Sequence, residues 1–343
     1  MRTGLSLVPL ALVAWSCNSA GSPPGGSAGT IDREKLTGTW QIMTSKNLKT
    51  GEVDSIFKRR LLWTQYTRAH WTYIYADSGR KEPTAAEFAR LSPEARRKAN
   101  YAKMFNESGQ PGAATGGWRF WSSGGNYWLD GNTFYYTNLL SIEPSQVEFG
   151  GIEQIISVND STYVYHSVPR DSTQPVREVT HRRLDHGVAP RGQETTPNGL
   201  LIGNWQVMWR RDGKTGVLEN VAIKKAEWVH ITENHWIHLW MTKDRKNVIP
   251  DDLAKLPPAQ QVKERYAKIW DDQNRPVFDA NAGTYRIENG TIIVDALVFS
   301  LSPSLVGTGA QTAGIVTLDR HTLMVRWADG ADKGTEETLR RID

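Results

Sequence analysis

Cysteine is almost missing from this chain: one in 343 residues, at position 17. That excludes an internal disulfide framework and a paired-cysteine metal or redox site. No apolar run reaches the roughly 20 residues that a membrane-spanning helix needs. Charge of one sign is scarce too. Lys and Arg total 41 against 37 Asp and Glu, and the surplus of +4 is scattered in doublets. Nucleic acid is therefore not an expected partner. Apolar residues make up 39% and charged residues 23%, which excludes a largely disordered chain. What is abundant is tryptophan: 14, against 11 Tyr and 8 Phe. Its ring buries much area while its N–H wants a partner, which suits the walls of cavities and interfaces.

The start of the chain has its own pattern. Met1-Arg2, the apolar stretch Leu5 to Val13, and Ala14-Trp15-Ser16-Cys17 have the layout of a secretory signal peptide. Asn18 to Gly29 is a Gly/Ser/Pro tether. A cysteine at the cleavage point before such a tether resembles the bacterial lipoproteins, in which that cysteine is lipidated. Ser16 fits the pattern; Ala14 stands where Leu is usual and Trp15 is bulky for its place, and Ala14-x-Ser16 also suits ordinary secretion. The resemblance implies a signal peptide at 1–16, lipidated Cys17, a tether over 17–30, and membrane attachment through the lipid. Asn18 in place of Asp after the cysteine implies the outer membrane, facing the periplasm. A secreted protein is the alternative.

The body of the chain is a duplication. Leu36-Thr37-Gly38-Thr39-Trp40-Gln41-Ile42-Met43 recurs 165 residues later as Leu201-Ile202-Gly203-Asn204-Trp205-Gln206-Val207-Met208. The same offset relates Trp63 to Trp228, His70-Trp71 to His235-Trp236, and Tyr101-Ala102-Lys103 to Tyr266-Ala267-Lys268. At the ends of the two copies, Arg182-Arg183-Leu184-Asp185 matches Arg340-Arg341-Ile342-Asp343 at an offset of 158. Copies of this length are domains rather than solenoid units. The expected division is domain 1 over 31–185, a polar linker over 186–198, and domain 2 over 199–343.

Each copy opens on a Gly-x-Trp strand. A hairpin rich in aromatic and β-branched residues follows, Leu61 to Tyr66 with His70 to Ala76 and Glu227 to Thr232 with His235 to Met241. Next comes a helical segment, with Ser92 as N-cap and Pro93 at the first position in the first copy. Strands are then expected at 117–121, 133–142, 151–158, 162–168 and 178–184, and in the second copy at 284–287, 291–301, 314–318, 322–327 and 337–342. About eight strands per copy suit an up-and-down barrel or a sandwich. Gly-x-Trp on the first strand with a basic residue on the last resembles the lipocalins, and the helical stretch within the barrel resembles the bacterial lipocalin-like group. The resemblance implies an all-β fold with helical insertions: two tandem lipocalin-like up-and-down β-barrels. It implies that Trp40 closes one floor under Arg182 or Arg183, that Trp205 closes the other under Arg340 or Arg341, and that helices from Ser92 and Pro257 lid the barrels.

If Arg68-Ala69 and Glu233-Asn234 are two-residue turns, strand alternation assigns each hairpin's faces. One face carries Leu62, Thr64, Tyr66, Trp71, Tyr73 and Tyr75, and its counterpart carries Val229, Ile231, Trp236, His238 and Trp240. Tyr66, Trp71, Tyr73 and Tyr75, with Ile231, Trp236, His238 and Trp240, are the candidate ligand-binding residues; a filled core is the alternative reading. His230, His235 and His238 do not converge on a strand, so no metal is expected, and no cofactor either. No nucleophile–base motif occurs, and no P-loop or dinucleotide fingerprint. Asp130, Glu153, Asp295 and the tyrosines leave an isomerase or cyclase as the minor reading. The aligned doublets Arg59-Arg60 and Lys224-Lys225 suit anionic headgroups or solvated strand ends. The expected function is non-enzymatic: an envelope lipoprotein that binds or carries a hydrophobic small molecule. The alternative is a non-catalytic accessory subunit of a membrane protein complex. The copies differ in aromatic content, so they are expected to differ in ligand, or only one of them to bind.

Overall fold

The computed structural model describes residues 31–343 except 59, 78–79, 81–82, 106–118, 144–145, 170–172, 188–191, 193, 246–251, 254, 258–259, 262–263, 265–266, 268, 272–274, 302–310 and 331. The signal peptide, Cys17 and tether expected within 1–30 lie outside the described residues, as do Arg59 and most of the helix expected after Pro257.

The first copy contains α1 (Arg33–Leu36), β1 (Gly38–Asn47), β2 (Val53–Asp54), β3 (Arg60–Tyr66), β4 (His70–Asp77), α2 (Ala85–Arg90), α3 (Pro93–Met104), β5 (Phe120–Asp130), β6 (Thr133–Thr137), β7 (Leu140–Ser141), β8 (Gly150–Val158), β9 (Thr162–Ser167) and β10 (Arg177–His186). The second contains α4 (Pro197–Leu201), β11 (Gly203–Arg211), β12 (Leu218–Asn220), α5 (Val221–Lys224), β13 (Lys225–Ile231), β14 (His235–Thr242), β15 (Phe278–Glu288), β16 (Thr291–Ser300), β17 (Gln311–Leu318), β18 (Thr322–Trp327) and β19 (Glu336–Arg341). Successive long strands pair antiparallel, and each sheet closes on itself through β10 on β1 and β19 on β11. Each copy is thus a closed eight-stranded up-and-down barrel, the lipocalin-like architecture the sequence implies, with β2, β7 and β12 as short additions. Closure needs coiling, and bulges in β1 at Ile42/Thr44 and in β11 at Val207/Trp209 fall at equivalent positions.

The floors explain the Gly-x-Trp motif. Trp40 and Trp205 are fully buried, and their indole N–H groups donate to the carbonyls of Leu36 (2.7 Å) and Leu201 (2.8 Å). Arg183 lies over the Trp40 ring at 4.0 Å and Arg341 over the Trp205 ring at 4.2 Å. Arg182 and Arg340 instead point outward to Gln41 and Gln206. Gly38 and Gly203 have φ of +131° and +150°, and a Cβ on either would collide with the covering arginine.

Two expectations about the strands need correction. β5 and β15 begin earlier or run longer than expected, to 130 and from 278. Ser122-Ser123-Gly124-Gly125, outside the expected strands, is strand interior. The small residues are there because other backbones come close: a Cβ at Gly125 would run into the Thr137 carbonyl, and one at Gly283 into that of Ala296. The expected strand over 133–142 is interrupted, with β6 ending at Thr137 and β7 pairing β5 instead of β8. The helix at Pro93 forms as expected, with Ser92 accepting from the Ala95 N–H at 3.2 Å. Its C-terminal Met104, and Phe105, are buried in the same apolar cluster as Leu62, Tyr75 and Phe120.

The outer faces of the two hairpins are buried as well, against each other. Trp63 meets His235 edge to face at 4.7 Å, and His70 meets Trp228 at 5.2 Å. These are the two equivalent pairs under the repeat offset, so the barrels are related by an approximate twofold. Because the residue beside one hairpin turn meets a residue well up the other hairpin, the two hairpins run in opposite directions. Arg80 and Arg245, also equivalent, reach across to the carbonyls of Ser300 (2.8 Å) and of Ser141 and Ile142 (2.6 and 2.8 Å). Asp185 ties the ends together. It accepts from the Thr39 N–H in its own barrel and from Thr232, the Asn234 N–H and His235 in the other, at 2.6 to 3.0 Å.

Candidate functional site

Strand alternation decides what each barrel encloses. Tyr66 faces Trp71, Thr64 faces Tyr73 and Leu62 faces Tyr75 across β3–β4. Ile231 faces Trp236, Val229 faces His238 and Glu227 faces Trp240 across β13–β14. This is the register the two-residue turns imply, so each set shares an inner face.

In the first barrel that face bounds a cavity of about 260 Å³, with Thr64, Tyr66, Trp71 and Tyr73 on one side and Ile42, Trp121, Ser123, Phe134, Tyr136, Asn138, Gln146, Glu153, Tyr165 and His181 completing it. Tyr75 is not part of the lining. It is 2% exposed in the neighbouring apolar cluster, with the Arg60 guanidinium 5.1 Å above its ring. Arg60 itself is paired with Asp77 at 2.7 Å. The aromatic residues brace one another: Trp71 meets Tyr136 at 5.0 Å, and Tyr66 meets Phe134 at 5.6 Å, both edge to face.

The polar groups of this cavity came from strands the hairpin argument did not reach. Glu153 on β8, Tyr163 and Tyr165 on β9 and His181 on β10 project inward beside Tyr66. Burial pushes the Glu153 carboxyl up to about 8, so it is mostly protonated at neutral pH. Burial pushes His181 down to about 3, so the imidazole is neutral. Burial raises the phenols of Tyr66, Tyr73, Tyr163 and Tyr165 further above their ordinary value. The wall at pH 7 is therefore nearly uncharged yet rich in donors and acceptors. Two atoms here are buried without partners, His181 Nδ1 in the wall and the Tyr163 hydroxyl in the floor cluster behind it. The hydroxyl stands beside Tyr66 and Glu153 but completes a well-formed hydrogen bond with neither. Glu153 was visible in the sequence as one carboxylate among many; its neighbours depend on strands 10 and more residues away.

The second barrel has inverted polarity. Glu153, Tyr163, Tyr165 and His181 correspond to Ala313, Leu323, Val325 and Leu339, which fill its lower part with Ile231 and Trp205. Leu62, Ser45, Tyr73 and Val179 correspond to Glu227, Arg210, His238 and Glu337, which form one ionic network. Arg210 donates to Glu227 at 2.7 Å and pairs with Glu337 at 2.6 Å, and His238 Nε2 lies 3.0 Å from Glu227. These bonds and charges hold the Glu227 carboxyl down at about 2 despite its burial. Trp236 and Trp240 stand on the same inner face, and the Lys225 ammonium lies 3.9 Å from the Trp240 ring centre. Among the described residues, no group of three His, Cys, Asp or Glu is placed to hold a metal ion.

No protein-family model matches the chain, and no curated protein matches it. Among solved structures, it is similar to a lipocalin-like protein from Bacteroides uniformis, at 15% identity over 42% of this chain and 100% of that one, with a TM-score of 0.25. It is similar to an uncharacterized protein from Bacteroides eggerthii, at 12% identity over 41% of this chain and 98% of that one, TM-score 0.25. An uncharacterized protein of Saccharomyces cerevisiae aligns at 7% identity over 90% of this chain and 98% of that one, TM-score 0.41.

Proposed function

We propose that the first barrel is a binding compartment for a compact, uncharged small molecule with an aromatic or alicyclic body and one or two hydrogen-bonding groups. The cavity carries this reading. Its 260 Å³ lies below the roughly 300–1,000 Å³ of drug-sized pockets, which argues against a long lipid chain. Trp71, Tyr73, Phe134 and Tyr136 supply apolar faces. The protonated Glu153, the tyrosine hydroxyls and neutral His181 supply the polar anchors. A charged ligand would lose its hydration and meet no opposite charge there. The expectation of a purely hydrophobic ligand is narrowed accordingly.

In this reading Cys17 carries a lipid, and the barrels are held at the outer membrane, facing the periplasm. Metabolic labelling with a fatty acid, lost in Cys17→Ser, supports that anchoring; an unlabelled, secreted chain refutes it.

The binding proposal is tested with two isosteres, 2-naphthol and 2-naphthoate, by tryptophan fluorescence and calorimetry. Saturable binding of the neutral probe, at least tenfold weaker for the anion and weakened in Tyr73→Ala, supports the reading. Equal binding of both probes, or none of either, overturns it. A second reading, an accessory subunit, is favoured by one surface. Trp128 stacks on Tyr135 at 5.3 Å, and with Ile152 and Val168 they form an exposed apolar row on the outside of this barrel. Purification from mild detergent in a large complex would favour that reading.

A further inference from the structure

The second barrel holds an ionised group that its own structure leaves unfinished. Glu227 is 2% exposed and faces inward from β13. Its Oε1 atom accepts from both Arg210 (2.7 Å) and His238 (3.0 Å), while its Oε2 atom is buried with no partner. Leaving a buried carboxylate oxygen bare costs more than leaving a neutral acceptor bare. Further down the same inner face, against the lower apolar cluster, the Trp236 indole N–H is also without a partner. The surrounding groups are only partly buried: His238 is 23% exposed, Arg210 26% and Glu337 14%. Indole faces border the network. Trp236 and Trp240 lie on the next strand, and Trp327 donates its N–H to Glu337 at 3.2 Å. An ammonium already lies on one of these faces, that of Lys225 over Trp240, which shows that the face attracts a cation.

We propose that the upper inner face of the second barrel binds a compact organic ammonium, with Glu227 Oε2 as its anchor and the neighbouring tryptophan faces beside it. A donor is what the bare oxygen requires, and a cation is the donor that a carboxylate and indole faces favour together. Arg210 reaches Glu227 through Nη2 at Oε1 and spends Nε on Glu337, so its contacts leave Oε2 without a donor. The aligned position in the first barrel is Leu62, so the duplicated barrels are selective for different charge types, and this site stands or falls independently of the cavity in the first barrel.

The test uses the whole soluble chain and a matched pair of probes, 2-phenylethylamine and 2-phenylethanol, titrated by calorimetry at pH 7. The amine is expected to bind at least tenfold more tightly than the alcohol, with the preference lost in Glu227→Gln. Excess 2-naphthol should leave the amine's affinity unchanged. Equal affinity for amine and alcohol, or no amine binding at millimolar concentration, overturns the proposal, and so does displacement by 2-naphthol. The wild-type comparison decides even if Glu227→Gln fails to fold. If it folds and keeps the preference, Glu227 is not the anchor and the proposal fails.

Discussion

Removing one carboxylate should uncouple the two barrels. Asp185 is 4% exposed and accepts four hydrogen bonds, three of them from the opposite barrel. In Asp185→Ala, the Thr39 and Asn234 N–H groups and the His235 ring lose their acceptor. Thr232 retains the His235 carbonyl at 3.1 Å and the Thr39 hydroxyl at 2.7 Å. Two to three orphaned donors at about 1–3 kcal/mol each, with partial rescue by water at the edge, give an expected loss of about 3–5 kcal/mol. The repeat provides an internal control. Asp343 is the sequence equivalent; it also lies near His70 of the opposite barrel, but its ion pair is with Arg341 of its own barrel, at 3.6 Å. Asp343→Ala removes one long ion pair and strips no clamp of four donors, so it should cost less than Asp185→Ala. Urea unfolding followed by circular dichroism and tryptophan fluorescence measures both. The Asp185 variant should lose midpoint and split into two transitions, one per barrel. A loss under about 1 kcal/mol, or equal losses in the two variants, would refute the assignment of Asp185 as the clamp.

The covering arginines should separate in the same way. Arg183→Ala exposes the Trp40 face and strips the Lys35 and Thr37 carbonyls, at a cost of about 1–3 kcal/mol, whereas Arg182→Ala should stay within about 0.5 kcal/mol. Thermal melts compare them. Glu153, pushed up to about 8 from 4.5, contributes stability that is fully present below pH 4.5 and is lost as pH rises through 8. Glu153→Gln should therefore match the wild type near pH 4 and exceed it by about 1–3 kcal/mol at pH 9, as urea midpoints across pH will show. His181 is held neutral, with a value near 3, so its burial costs stability as pH falls from 6.5 toward 3. His181→Phe should flatten the acid limb of the stability profile, and an unchanged limb would rule His181 out as its source.

Where a single residue's role depends on neighbours in sequence, it was legible before folding. The tandem copies and the hairpin register follow from local spacing, because two-residue turns fix which side chains oppose each other, and the Gly-x-Trp floors from the resemblance to the lipocalins. Leu62, Thr64 and Tyr66 were assignable to one face with Trp71, Tyr73 and Tyr75 on that account. Tyr75 was then diverted from the cavity by Arg60 and the apolar cluster, which pattern alone does not show. The choice between Arg182 and Arg183 turned on a one-residue difference at the bulged closure of β10 on β1.

The rest belongs to tertiary structure. Strand alternation separates two faces but does not say what lies against the outer one, so Trp63, His70, Trp228 and His235 gave no sign that they join the barrels. Ser122 to Gly125 carry turn residues because close-packed backbones need small side chains there, and that need arises only when the barrel closes. The inverted polarity of the two interiors is also invisible locally. Glu153 acquires its protonated state from the aromatic residues that bury it, and Glu227 keeps its charge because Arg210 and His238 arrive from other strands. The sequence by itself determined the duplication and the hairpin faces, and its resemblance to the lipocalins implied two barrels and their floors; only closure and pairing decided which interior groups are neutral, which are charged, and which atoms are left for a ligand.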